Sequence, residues 1–308
     1  MLCGNYFLNC GILEYREYNM DFNHRKAKCD EAYYEAMKKL HNELYDILIE
    51  IQRVCEILGI KCFIQGGSAI GAFFDNAILP WDDDIDVGLK REDYELFIRK
   101  APSLVSSDYF IQSMENEPNM PAPQLLKVRK NNTFFHETGW NELPVHHGIY
   151  VDIMPYDKVP DNQLLQKIQR RTLRKIHGFI IHKVMWKNNI PYDLPESSSA
   201  LYKIVKQSPF SRDFLYRWYL SVSTRYNNRN CTYYNQAKEK RDHISAVSLD
   251  NLQRVKFGPT EAFVPDDVET YLKNHYPNLR RDIPEDEKEN HLTGKIIFSD
   301  GSTYIPQL

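Results

Sequence analysis

The chain has 308 residues, 42% of them apolar and 26% charged, with 39 Lys and Arg against 42 Asp and Glu. That length suits two ordinary domains at most, or one elaborated enzyme domain, and the balance excludes a disordered chain, a collagen-like repeat and a membrane bundle. A formal net charge of −3 removes a whole-chain basic footprint, so no nucleic-acid partner is expected.

The start, MLCGNYFLNCGILEYRE, lacks the basic region and apolar run of a secretion signal. The six cysteines (3, 10, 29, 55, 62, 231) show neither a CxxC pair nor zinc spacing, and are expected to be reduced thiols of a cytoplasmic protein. From Asp30 onward Leu40, Leu44, Ile47, Ile51, Val54 and Leu58 recur at steps of four and three, which predicts an amphipathic helix ended by Gly59. A short buried strand is expected over Ile60–Ile64, then a Gly66-Gly67-Ser68 turn into a helix through Phe74. Ile85, Val87 and Leu89 alternate with Asp84, Asp86 and Gly88, a strand with one carboxylate face. Arg91–Lys100 reads as a helix stopping before Pro102. Strands are expected at Leu125–Arg129, Thr133–Phe135 and Ile149–Ile153, helices at Asn162–Lys187 and Leu201–Asn228, and a Pro/Ser-rich loop at 191–199. Phe257, Phe263, Tyr271 and Tyr276 are aromatic anchors in a polar C-terminal part. The predicted organisation is a mixed α/β core over 30–160, preceded by an extension at 1–29 and followed by a helical and C-terminal part at 161–308.

Chemistry concentrates in GGSAIGAFFDNAILPWDDDIDVGL, residues 66–89, where Asp82, Asp83, Asp84 and Asp86 fall within five positions. Alternation puts Asp84 and Asp86 on one strand face, with Asp82 joining them if the strand starts early. Carboxylates that close repel unless a cation lies between them, and hard divalent ions are held by one or two carboxylates together with phosphates and water. The glycine turn offers backbone N–H groups and a helix dipole to an anion. Read alone, the aspartates fit an acidic surface turn equally well, and the glycines a plain tight turn. The apolar residues between them, and the conjunction of the two features, favour a metal–phosphate site. In HHGIYVDIMPYD, Asp152 lies inside the alternation of Ile149, Val151 and Ile153, as a third ligand or a solvent-facing strand residue. His146 and His147 fit no zinc spacing and read first as structural residues.

A glycine turn, a strand-borne D-x-D and a later strand aspartate resemble the nucleotidyltransferase fold. More narrowly, GGSAIGAFF, ILPWDDDIDVGLKREDYELFI, KVRKNNTFF, HHGIYVDIMPYD and FGPTEAFVP, in that order over about residues 40–280, resemble the LicD family. That resemblance implies an α/β (α+β) fold with a nucleotidyltransferase-like mixed sheet and helical additions. It also implies transfer of phosphocholine from CDP-choline to sugars of cell-surface polymers, with release of CMP. Carried over, it implies Mg²⁺ or Mn²⁺ at Asp84, Asp86 and Asp152, phosphates at Gly66, Gly67 and Ser68, a catalytic weight for Asp82, and a diphosphate at Lys127 and Arg129. Where the family often has an Arg after the second Gly-Ala, this chain reads Gly71-Ala72-Phe73-Phe74-Asp75.

On this reading an acceptor hydroxyl attacks the choline-bearing phosphorus, and Asp82 or Asp83 takes its proton. Choline recognition would fall to aromatic faces among Trp81, Phe134, Phe135, Trp140 and Tyr150, each of which also suits ordinary packing. An NTP-using nucleotidyltransferase that releases pyrophosphate and a non-catalytic nucleotide-binding module are the rival readings. Residues 162–187 hold seven Lys or Arg and no acidic residue. Leu165, Ile168, Ile176, Phe179 and Ile180 are expected to face the core, and Lys167, Arg170, Arg171, Arg174 and Lys175 to face outward. That strip reads as a solvated face or as a hold on an anionic glycan or glycolipid acceptor at the inner membrane surface.

Overall fold

The computed structural model describes residues 27, 29–190, 209–236, 238–284, 288, 290 and 292–307. The loop expected at 191–199, the start of the helix expected at Leu201 and nearly all of the N-terminal extension lie outside the described residues. The fold is mixed α/β, with seven α-helices among the described residues and a curled mixed sheet at its centre.

Helix α1 (Glu31–Leu58) starts where the Asp30 carboxylate accepts the Tyr33 N–H at 2.9 Å and stops at Gly59, in the left-handed region at φ 68°. Its Leu40, Leu44, Ile47, Ile51 and Val54 are buried, each contributing about 1.5–3 kcal/mol. They pack on the sheet face of Val87, Leu89, Val128, Val151 and Ile153, so that face holds the helix more than propensity does. Strand β1 (Phe63–Ile64) is shorter than expected because the Ile60 N–H still closes the helix by donating to the Cys55 carbonyl. Helix α2 (Gly66–Asp75) follows, then β2 (Asp86–Lys90) and α3 (Arg91–Lys100).

Strands β3 (Tyr109–Gln112), β4 (Leu126–Lys130), β5 (Phe134–Phe135) and β6 (Tyr150–Val159) come next. The main sheet runs β1-β2-β6-β4-β3, with β2 and β6 parallel and the other pairs antiparallel. β6 continues well past the expected Ile153. Pro155 falls between the β4 pairing, which ends at Ile153, and the pairing with β7 (Tyr233–Asn235), which begins at Asp157. The missing proline N–H is therefore not needed by either antiparallel neighbour.

Helices α4 (Gln163–Lys187) and α5 (Arg212–Ser223) pack on each other around Leu173, Ile176, Ile180, Leu215 and Tyr219. After β8 (Ile244–Ser245) and the short α6 (Ala246–Asp250) comes a hairpin of β9 (Gln253–Phe257) and β10 (Thr260–Val264). Gly258 turns this hairpin at φ 60°, where a Cβ would lie 2.2 Å from the Tyr45 ring. Helix α7 (Val268–His275) lies against α2, while β11 (Ile296–Ile297) and β12 (Thr303–Tyr304) form a small sheet with β5. Of the expected anchors, Phe257, Tyr271 and Tyr276 are buried and Phe263 is half-buried.

Two expectations for α4 are corrected. Ile176, Phe179 and Ile180 are buried, but Leu165 and Ile168 are 42% and 53% exposed. The Gln169 amide donates to the Val222 and Ser223 carbonyls at the C-terminal end of α5, so the turns before it run past the end of the helix pair. The outward basic row is likewise narrower than expected: Lys167, Arg171 and Lys175 are exposed, whereas Arg170 and Arg174 are half-buried and Arg174 Nε donates to the Lys238 carbonyl at 3.2 Å.

Candidate active site

Strand register puts one polar row across the sheet, on the face opposite α1. Asp86 lies beside Asp152, Asp152 beside Lys127, and Lys127 beside Gln112, on the adjacent strands β2, β6, β4 and β3. Neighbouring strands lie about 4.8 Å apart, so these side chains are in mutual reach. All four are buried. β2 begins only at Asp86, so Asp82, Asp83 and Asp84 belong to the irregular approach to it.

The carboxylates perturb one another. Burial, then Asp84, Asp152 and Asp82, hold the Asp86 carboxyl well above its ordinary range, and only Lys127 opposes them. Burial, then Asp84 and Asp83, likewise raise Asp82. Burial raises Asp152 most, Lys127 pulls it back, and Glu137 and Asp84 add to the rise, leaving it at about 6. Asp82, Asp84, Asp86 and Asp152 therefore gather at one place, an excess of negative charge out of water. Burial first and the Asp83 carboxylate second raise the Tyr33 phenol on α1.

The glycine turn is tied to the same place. A Cβ on Gly67 would come within 2.8 Å of Asp82 Oδ2, so the glycine lets the carboxylate lie against the start of α2. Ser68 Oγ accepts the Asp86 N–H at 2.9 Å and thereby fixes the start of β2. The Gly66 N–H donates to the Tyr271 hydroxyl at 3.0 Å. Two of the three residues expected at phosphates thus also hold the protein together.

Lys127 and Arg129 are both buried. Lys127 Nζ lies 2.8 Å from Asp152 Oδ1 and 2.9 Å from Glu137 Oε2. Arg129 donates to Gln112 Oε1 at 2.6 Å, to the Gly148 carbonyl at 2.7 Å and to Glu137. Burial opposes ionisation of Glu137, but Arg129 and Lys127 overcome it and hold its carboxyl at about 2. The Tyr150 and Trp140 rings face Lys127 at 3.4 and 5.3 Å, so their cation partner is this chain's own ammonium. Phe135 packs edge-on against Tyr150, Trp81 lies near Lys288 and Phe134 near Lys295. His146 is stacked on Phe110 and bonded to Asn131, while His147 bonds the Leu143 carbonyl, both structural roles.

Sequence reasoning missed Glu137, Tyr33, His41 and Gln65. The Tyr33 hydroxyl donates to the Trp81 carbonyl at 2.7 Å, and His41 Nε2 meets the Asp82 carbonyl at 2.8 Å, so α1 holds the approach to β2. Gln65 links Tyr156, Met154 and Gln236 beside the site. None of these belongs to a motif, and Glu137 had only its place eight residues after Arg129 as a signal.

Among the described residues, no three His, Cys, Asp or Glu side chains are arranged so that they could hold a metal ion by themselves. The all-oxygen donors and their unbalanced charge nonetheless suit a hard divalent ion completed by substrate oxygens and water.

Residues 59–175, which contain every element of this row, match the family model of the LicD/FKTN/FKRP nucleotidyltransferase domain. This segment is a LicD/FKTN/FKRP nucleotidyltransferase domain. The chain is 28% identical over 134 residues to the lipopolysaccharide cholinephosphotransferase LicD of Haemophilus influenzae, covering 42% of this chain and 49% of that protein. An uncharacterized protein of Rickettsia prowazekii is 26% identical over 123 residues, covering 39% of this chain and 41% of that one. A second, from Rickettsia typhi, is 29% identical over 79 residues and covers 26% of each chain. The chain thus spans about half the length, or less, of these curated relatives.

Proposed function

We propose that this LicD-type domain transfers phosphocholine, or a similar alcohol phosphate, from a CDP-alcohol to a hydroxyl of a cell-surface glycan or its lipid-linked precursor. The observation that carries the reading is the Asp86–Asp152 pair in register on adjacent parallel strands, with Asp82 and Asp84 beside it and the Gly66-Gly67-Ser68 turn behind. The likeness to a lipopolysaccharide cholinephosphotransferase supports choline and a glycan acceptor.

In the proposed reaction the acceptor oxygen bonds to the choline-bearing phosphorus, the bond from that phosphorus to the bridging oxygen breaks, and CMP leaves. Asp84 and Asp86, with Asp152 as third candidate, would hold Mg²⁺ or Mn²⁺. Such an ion, when bound, neutralises the diphosphate oxygens and the charge growing on the leaving group. Asp82, at the N-terminal end of α2, is the side chain we assign to receive the hydroxyl proton. Because Lys127 is seated between Asp152 and Glu137, we assign it first to balancing the acidic row, and a diphosphate oxygen would have to share its ammonium. Arg129, fully enclosed, would act through Glu137 rather than on the substrate.

The test is to incubate the chain and Mg²⁺ with CDP-choline and a lipopolysaccharide-type glycan, and separately with CTP. CMP formed one for one with phosphocholine-bearing glycan is the expected result. Pyrophosphate from CTP, with CDP-choline untouched, would assign the domain to nucleotidyl transfer.

A further inference from the structure

The first turns of α4 combine features that a merely solvated helix face does not. Leu164, Leu165 and Ile168 are 65%, 42% and 53% exposed. Leu164, Ile168, Arg171 and Lys175 recur at steps of four, three and four, so they form one straight stripe along the helix, with Lys167 and Leu165 on its flanks. Lys167, Arg171 and Lys175 are exposed as well.

This end of the helix is firmly built: Asn162 Oδ1 accepts from the Leu164 and Leu165 N–H groups at 3.0 and 3.1 Å. The first turn carries no acidic side chain, so the positive end of the helix dipole adds to the lysine and arginine charges. The nearest acidic residue in sequence, Asp161, accepts the Thr232 N–H at 2.9 Å. Residues 162–187 hold seven basic and no acidic residues in a chain whose net charge is −3.

We infer that this stripe is a docking surface for a bilayer rich in anionic headgroups, with α4 lying in the interface. The leucines and isoleucine would enter the boundary between headgroups and acyl chains while the basic side chains meet phosphates. Charge alone suits any polyanion. Three large apolar side chains held outward among the basic ones select a surface with an apolar layer just beneath its charge. None of the described helices is long and apolar enough to cross a membrane.

The test is sedimentation of the whole chain with vesicles of phosphatidylcholine alone or mixed with phosphatidylglycerol. Neither donor nor acceptor is present, so the result stands apart from the transfer reaction. Wild type should bind the phosphatidylglycerol vesicles and not the neutral ones, and should release as salt rises. Lys167→Gln/Arg171→Gln/Lys175→Gln should weaken partition by about a hundredfold at low salt. Leu164→Gln/Ile168→Gln, which keeps every charge, should weaken it by about tenfold or more. All five substituted positions are exposed, and an unchanged far-ultraviolet dichroism spectrum verifies the fold. No wild-type binding would overturn the inference. So would an unchanged affinity in the apolar double variant, which would assign the stripe to soluble polyanions.

Discussion

Asp86 and Asp152 are ordinary side chains made unusual by where the strands put them. Ionising either in the metal-free protein works against burial and neighbouring carboxylates, with Lys127 as the opposing charge. Asp86→Asn should therefore raise the melting temperature of the metal-free protein at neutral pH, a gain of about 1 kcal/mol or more, while transfer falls by at least about a hundredfold. The Asp152 carboxyl is raised from an unfolded value near 3.8 to about 6 in the folded chain. The folded state thus binds the proton more tightly, and stability from this group is lost as pH rises through that window. The gain in melting temperature of Asp152→Asn over wild type should be small near pH 4 and should grow up to about pH 6. Glu137 behaves oppositely. Its folded value of about 2 lies below the ordinary 4.5, so its contribution is present above 4.5 and is lost as pH falls toward 2. Glu137→Gln leaves the buried Lys127 and Arg129 without their shared carboxylate and should cost about 3–5 kcal/mol in urea unfolding.

Helix α1 reaches the site without touching its chemistry, through Tyr33 on the Trp81 carbonyl and His41 on the Asp82 carbonyl. Tyr33→Phe should cost only about 0.5–1.5 kcal/mol of stability. Its transfer rate should nonetheless fall several-fold at unchanged Mg²⁺ dependence, which kinetics with a magnesium titration would read. That link was not legible in the sequence, whereas α1 itself was: its four-and-three spacing and Gly59 give the observed Glu31–Leu58 almost to the residue. α3 matches its expected Arg91–Lys100, a helix read as stopping before Pro102. The strand β2 was readable from the alternation of Ile85, Val87 and Leu89, but it starts only at Asp86, so Asp84 lies before it rather than on its face, and its partner strand was not readable. Asp86 and Asp152 are 66 positions apart, and periodicity within a strand carries no information on which strand lies beside it. For the same reason Lys127 was legible as a basic residue on a strand, while its position between Asp152 and Glu137 was not. A helical wheel also cannot show where a partner helix ends, which is why Leu165 and Ile168 were expected inside and lie outside.

At the scale of the whole molecule, charge is sorted rather than spread. Asp86 and Asp152 pair in a buried row at the middle of the sheet with Lys127 as their counter-charge, and the one-signed helix α4 follows directly from the end of the strand that carries Asp152. Apolar packing against α1 anchors β2 and β6 from behind, so the sheet can keep the carboxylates together at a cost in stability. We propose that this cost serves to hold a divalent ion with a CDP-alcohol. Calorimetric titration of Mn²⁺ into the whole chain, with and without CDP-choline, tests it most directly, with Asp86→Asn as the comparison. Mn²⁺ should bind the wild type in the presence of CDP-choline, more tightly than without it, and a folded Asp86→Asn protein should lose this binding. Equal Mn²⁺ affinity in the two proteins would contradict it.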